Sequence, residues 1–399
     1  MKKWVILILL TFSGLVSAFA QNYLDSLDLR LQDLYKQSGL PGFSVAIIDS
    51  TGLVFAKGYG YSNLKERIPY MKHHTQPLAS ISKTFIAVSL MLCIEDSLLT
   101  LDTPINDILP FEVHNPNFPE DTIRVVHLTN HSSGIIDNEN AWKHSFYLLE
   151  EPKFESFDFM EEEKEFLNGI ANNVHSDLKT TLVNFLTPTG KWYSENTFAR
   201  FRAGEQYKYS NIASDLAAFI VEVVQKKKYS EYVIEQIFKP LGMASSGWQH
   251  NTPNPKDDVV TYSAGGYPYP LFAANTYPSG SAQSSVTDLA KFLTDMLNGS
   301  NGKDQLLTQS SYIKMFQPVI KTDDSDSLGI FWQKQNYLKD IMKTGSGGDV
   351  TTVIGFNSSE GVGYALLCNH GTYPDKQSEF YVKIWQTIIK YRELLTNAK

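Results

Sequence analysis

The chain has 399 residues, 42% of them hydrophobic and 20% charged, with a formal net charge of −8. That is enough apolar material for a large core, in one big domain or two intimate lobes. The acidic balance repels phosphate backbones and anionic lipid, which argues against nucleic acid or a membrane surface as partner.

Residues 1–20 read as a secretory signal peptide: Lys2 and Lys3, an apolar run from Trp4 to Val16, then Ala18-Phe19-Ala20 as a cleavage site. The run is short for a bilayer span and no cysteine follows it to carry a lipid. The expectation is an exported protein, periplasmic or secreted, with no stable membrane anchor after cleavage. Loss of the two lysines takes the net charge from −8 to −10.

Residues 21–399 then form a single catalytic domain on this reading. Leu24, Leu27, Leu31 and Leu34 mark an amphipathic helix stopped by Gly39 and Pro41. FSVAIIDSTGLVFAKGYGYS reads as a β-hairpin turning at Asp49–Gly52. From about Ser80 to Met243 the pattern is mostly helical. Thr351–Phe356 and Gly363–Cys368 are two more strands, and a last helix runs from about Ser378 to Leu395. The predicted fold is α+β, an α/β sandwich. One antiparallel sheet, built from both termini and flanked by helices, forms a lobe of about 21–75 and 260–399, with a mostly helical lobe of about 76–259 inserted. The acidic, aromatic stretch 138–193 reads as a surface excursion or lid without chemistry of its own.

Ser-x-x-Lys occurs five times, beginning at Ser62, Ser80, Ser176, Ser300 and Ser311. On a helix such a pair shares one face, so the lysine reaches the serine hydroxyl and helps remove its proton. Ser62 is followed by Pro69, Ser300 lies in the turn-like NGSNGK, and Ser176 and Ser311 suit amphipathic helices with exposed lysines. Ser80 alone opens a run, ISKTFIAVSLMLCI, that is apolar nearly all round and so belongs to a buried helix. A lysine there is costly unless paired, which gives Lys83 a specific task. Tyr-Ser-Asn occurs at 61–63, inside the hairpin, and at 209–211, before the helix NIASDLAAFIVEVV. Lys343-Thr344-Gly345 occurs once, before the strand TTVIGF. A strand with that sequence can lie along a substrate, the glycine allowing close approach and the cation meeting a carboxylate.

The order Ser-x-x-Lys, Tyr-x-Asn, Lys-Thr-Gly resembles the active site of penicillin-binding proteins and serine β-lactamases. The Tyr-x-Asn form is that of the class C branch, which also holds DD-carboxypeptidases and esterases. Only the copy at 209–211 stands between the other two motifs. LPGFSVAIID, DSLLTLDTPINDILP, VVHLTNHSSGI, IEQIFKPLGM and SGSAQSSVTDLAKFLTDMLNG extend the likeness over most of Gly39–Asn369, with Asn138–Tyr193 unmatched.

The resemblance implies Ser80 as nucleophile and Lys83 and Tyr209 as its acid–base partners. It implies Asn211 as a ligand of Lys83 or of a substrate amide, and Lys343 as carboxylate binder on the Lys343-Thr344-Gly345 strand. The N–H groups of Ser80 and Ser346 would form an oxyanion hole. It makes Asp102, His131 and Gly134 scaffold residues. Ala203 departs from the proline usual in the family. The class A glutamate position before Leu167-Asn168 holds Lys164, with Glu163 and Glu165 beside it.

No α/β-hydrolase elbow occurs. The reading is a serine hydrolase without metal or cofactor, of β-lactamase or D-alanyl-D-alanine carboxypeptidase type. Its alternatives are a carboxylic esterase or a non-catalytic sensor. The expected partner is a small molecule or peptide bearing a carboxylate. Tyr262, Tyr267, Tyr269 and Phe272 either wall a pocket or belong to the core. Cys93 and Cys368 sit in apolar runs where a buried thiol is ordinary, and their pairing is left open.

Overall fold

A computed structural model describes residues 21–150, 159–248, 251–303, 305–324, 326–371 and 376–397. The proposed signal peptide, residues 1–20, lies outside them. No described helix is long and apolar enough to cross a membrane.

The helix expected from the leucine spacing, α1, covers 21–38. Its buried Leu27, Leu31 and Leu34 lie on the hairpin formed by β1 (Gly42–Asp49) and β2 (Gly52–Asn63). Three later strands complete the centre of the sheet: β3 (Ile341–Ser346), β4 (Thr351–Asn357) and β5 (Val362–Cys368). Pairing is antiparallel throughout, in the order β2-β1-β5-β4-β3, with two-residue strands at both edges. Ala46 stands opposite Ala365, and Ala365 opposite Ile354, so the chain's two ends are stitched together at mid-sheet. The predicted sheet from both termini is what forms.

Every residue of β1, β4 and β5 is buried, because both faces of the sheet are covered. One face packs Phe43, Val45, Ile47 and Leu366 under α1 and under α5 (Lys376–Asn397), which inserts Phe380, Ile384 and Ile388. The other packs Ala46, Ile48, Ile354 and Phe356 against the helical part. There α2 (Lys83–Glu95) is central and buried almost all round, touching α3 (Asn211–Gln225), while α4 (Val286–Ser300) lies across β1 and β5. Ser300 is the last residue of α4 rather than part of a turn.

Cys93 belongs to the core on one face of the sheet and Cys368 to the core on the other, and both thiols are free. The open question of a disulfide is thereby answered, since the sheet separates them.

The described part of 138–193 is more than a surface excursion. Phe146–Leu148 pairs antiparallel with Phe272–Ala274, and the helices Glu161–Ile170 and Leu178–Leu186 follow. Glu163, beside the class A position, is fully buried. Its carboxylate accepts hydrogen bonds from the Met160 and Ala264 N–H groups, so it caps a helix and ties down a loop.

Candidate active site

Ser80 lies in a single 3₁₀ turn, Ala79–Ser82, that runs straight into α2. The residue before it, Ala79, has φ of 48°, a left-handed conformation that L-residues with a Cβ rarely adopt. This reversal brings the chain from the strand Gln76–Pro77 onto the start of the helix and leaves Ser80 on the wall of a cleft of about 610 Å³.

The buried helix carries Lys83 into the protein with its Nζ fully enclosed by partners. It donates to Ser80 Oγ at 3.1 Å, Asn211 Oδ1 at 2.6 Å and the Ser279 carbonyl at 2.8 Å. Ser80 Oγ and Tyr209 Oη are 2.7 Å apart. Four residues expected from two motifs thus form one hydrogen-bonded unit, although 129 positions separate Ser80 from Tyr209. The copy at Tyr61–Asn63 ends β2 and lines no part of the cleft.

Several residues that the sequence reading passed over hold this unit. Asp137 accepts from Asn211 N at 2.7 Å, Asn211 Nδ2 at 2.8 Å, Ile212 N at 3.0 Å and Ser210 Oγ at 2.8 Å. A carboxylate at the start of α3 satisfies orphan N–H groups and meets the positive end of the helix. Because Asn211 Nδ2 points to Asp137, its oxygen faces Lys83. Asp215, one turn into α3, accepts from Ser279 N at 2.8 Å and Ser279 Oγ at 3.0 Å, fixing the carbonyl that Lys83 meets. Burial pushes the Asp215 carboxyl well above its ordinary range. No local pattern distinguishes Asp137 or Asp215 from other acids in the sequence.

His131 is a scaffold residue that touches the site. Its ring packs on the Tyr209 ring with centroids 4.4 Å apart, and its Nδ1 accepts from Ser210 N at 3.3 Å. Burial, then the Lys343 and Lys83 charges, hold the imidazole well below its usual pKa, so it stays neutral. Lys208 N donates to the His131 carbonyl at 2.7 Å, clamping the loop before Tyr209. Ala203, the departure from proline, uses its N–H to donate to Asp121 Oδ2 at 2.8 Å, a bond that proline lacks.

The Lys343-Thr344-Gly345 strand is β3, lying against the Ser80 turn. A side chain on Gly345 would collide with the Leu78 carbonyl and Thr352 Oγ1 and come within 3.0 Å of Ser80 N. Ser346 lines the cleft. Thr344 and Lys343 are placed differently from Ser346. Thr344 is exposed and is not among the residues that line the cleft. Lys343 is not a free cation on the wall. It is 6% exposed, absent from the cleft lining, and holds its Nζ 5.5 Å from the centre of the Tyr209 ring. Burial and then the nearby Lys83 charge lower its pKa to about 7.

The same cleft has an aromatic part, lined by Trp142, Phe146, Phe166, Tyr269 and Phe272. Of the four aromatic residues near 262–272, Tyr269 and Phe272 line the cleft, whereas Tyr262 is 1% exposed and donates to none of it, bonding Leu64 N through its hydroxyl oxygen. Among the described residues one group has the makings of a metal site: His73, His74 and Asp257, with ligand atoms within 4.8 Å of one another. None lines the cleft, and His74 Nδ1 already accepts from Met71 N at 3.3 Å, which leaves the neutral ring's proton on Nε2.

An antiparallel sheet covered by helices, with Ser-x-x-Lys opening the buried helix beside it, defines the β-lactamase/transpeptidase-like fold. The chain belongs to the Beta-lactamase family, which it matches over residues 27–384. It is 21% identical to Protein flp of Staphylococcus aureus (strain MRSA252) over 347 residues, 86% of this chain and 62% of that one. It therefore spans about three fifths of the length of that curated relative. Among solved structures it is similar to the octameric penicillin-binding protein homologue from Pyrococcus abyssi. The TM-score is 0.70 at 24% identity, covering 92% of this chain and 77% of that one. It is also similar to D-alanine carboxypeptidase AmpC from Burkholderia cenocepacia, with a TM-score of 0.67 at 15% identity, covering 93% and 99%.

Proposed function

We propose that this chain is an exported serine hydrolase that opens an amide or ester bond through an acyl-enzyme on Ser80, in the manner of a β-lactamase or a D-alanyl-D-alanine carboxypeptidase. The observation that carries the reading is the Lys83–Ser80–Tyr209 unit, with both neighbours in hydrogen-bond reach of Ser80 Oγ. Ser80 Oγ attacks the carbonyl carbon while its proton passes to the Tyr209–Lys83 pair. Tyr209 delivers a proton to the leaving nitrogen or oxygen as that bond breaks. Water, deprotonated by the same pair, then releases the acid and restores Ser80. The N–H groups of Ser80 and Ser346 would hold the oxyanion. Export rests on the signal-like residues 1–20.

A carboxylic esterase is the second reading, and one observation favours it. Lys343, the lysine expected to meet a substrate carboxylate, is 6% exposed and is not among the residues lining the cleft.

The test is the intact mass of residues 21–399 after incubation with a penicillin, beside Ser80→Ala. An adduct lost in the variant, or consumption of the drug that needs Ser80, supports the proposal and separates slow from fast deacylation. If the penicillin is untouched, short esters and D-alanyl peptides are assayed. Ser80-independent turnover would overturn the nucleophile assignment, and no turnover of any of the three would favour a sensor.

A further inference from the structure

The aromatic wall of the Ser80 cleft is built, not incidental. Phe146 meets Phe166 at 5.5 Å between ring centroids and Phe272 at 5.8 Å, and Trp142 stacks on Phe146 at 6.1 Å. Tyr269 closes the row, 5.9 Å from Phe272. Phe166, Tyr269 and Phe272 pack with the buried pair Phe159 and Leu167. The rings are also fixed along the chain: the Phe146–Leu148 and Phe272–Ala274 strands pair, and Asn173 Nδ2 donates to the Phe146 carbonyl at 2.8 Å. Such a wall is preorganised, so a ligand covers it with little ordering cost.

Asp137, on the same cleft, has its carboxylate engaged by four donors and asks for no cationic ligand. Trp142 is 50% exposed at the cleft, which leaves a large apolar face for a ligand to remove from water. Three of the five rings come from 138–193, the stretch whose sequence matches none of the motif-bearing segments.

We infer that the substrate carries an aromatic or large apolar group next to its scissile bond, and that the Trp142–Phe146–Phe166 stretch sets this preference. The inference rests on Ser80 being the nucleophile. A short, purely polar amide or ester would leave the ring wall wet and gain nothing from it. A phenyl or branched alkyl group placed a few bonds from the carbonyl would be sandwiched against the rings while Ser80 reaches that carbonyl.

Boronic acids test this, because the trigonal boron accepts the Ser80 oxygen and its one organic substituent is free to take whichever arm of the cleft suits it. The dissociation constants of methylboronic acid and 2-phenylethylboronic acid are measured by calorimetry. The wild-type protein is expected to bind the phenylethyl compound about 10- to 100-fold more tightly. Trp142→Ala and Phe166→Ala should each bring that ratio several-fold towards one, Trp142→Phe should restore it, and a melting curve checks that each variant is folded. Equal affinity for the two acids in the wild type, or a ratio unmoved by both alanine variants, overturns the aromatic subsite while leaving Ser80 as nucleophile. If neither acid binds in a Ser80-dependent way, the nucleophile reading fails and the subsite falls with it.

Discussion

Asp137 turns the Asn211 amide so that oxygen rather than nitrogen faces Lys83, and it does so while capping α3. Asp137→Asn keeps the shape but loses the charge and turns an N–H₂ group towards donors. Loss of charge-assisted bonds at a helix start is expected to cost about 1–2 kcal/mol in urea denaturation. It should also lower kcat more than it raises KM, because the lysine loses a fixed partner. Lys343 gives a pH signature. Its folded pKa is about 7, lowered by burial and by Lys83, whereas an unfolded lysine titrates near 10.4. Between those values the unfolded chain holds a proton that the folded chain has released, so this group makes stability rise with pH across the window. Unfolding free energies measured from pH 6.5 to 9.5 should show that rise in the wild type and a flatter curve in Lys343→Met. Identical slopes would mean that the lysine stays charged when folded.

At the scale of elements, the site is a junction of three: the 3₁₀ turn leading into α2, the start of α3 and strand β3. The strand approaches the turn so closely that position 345 has no space for a methyl group beside Leu78, Thr352 and Ser80 N. Thr352 Oγ1 donates to the Leu78 carbonyl at 2.9 Å, a second tie between sheet and turn. Gly345→Ala must push β3 and the Ser80 turn apart. The expected result is about 1–3 kcal/mol of destabilisation from overpacking and a fall of about 100-fold in the rate of Ser80 acylation. Stopped-flow acylation beside a melting curve measures both, and an unchanged acylation rate would show that the junction tolerates the shift.

At the scale of the molecule, two apolar cores share one sheet, and α5 covers one of them. A buried ion pair locks that helix: Arg392, 1% exposed, donates to Asp340 Oδ2 at 2.7 Å just before β3. Its guanidinium also lies 5.5 Å from the Tyr364 ring centre on β5. Removing one member leaves the other charge buried without its partner. Arg392→Met is therefore expected to cost about 3–5 kcal/mol in chemical denaturation. A cost below about 1 kcal/mol would mean that Asp340 finds another partner or water. Through Asp340 the pair reaches the end of the strand that carries Lys343, so the C-terminal helix helps to hold the site's third element.

The sequence by itself picked out most of the elements and the residues of the candidate site. Periodicity marked α1, β1, β2, β4, β5 and α5, because a helix or strand writes its buried face into its own spacing. The apolar surroundings of Lys83 singled out Ser80 among five similar pairs, since only a specific partner justifies a lysine in such a helix. Motif order chose Tyr209 over Tyr61. What only the tertiary structure decided are contacts between distant parts of the chain, which no local period encodes. Asp137 reaches Asn211 across 74 positions, and the aromatic wall joins Phe146 to Phe272. Lys343 reads from sequence as a cation ready to meet a carboxylate, and only the fold shows it buried near the Tyr209 ring. The two cysteines look alike until the sheet places them on opposite faces. Sequence pattern reports how a residue relates to its own helix or strand, whereas partners, burial and charge state follow from how those elements close on one another.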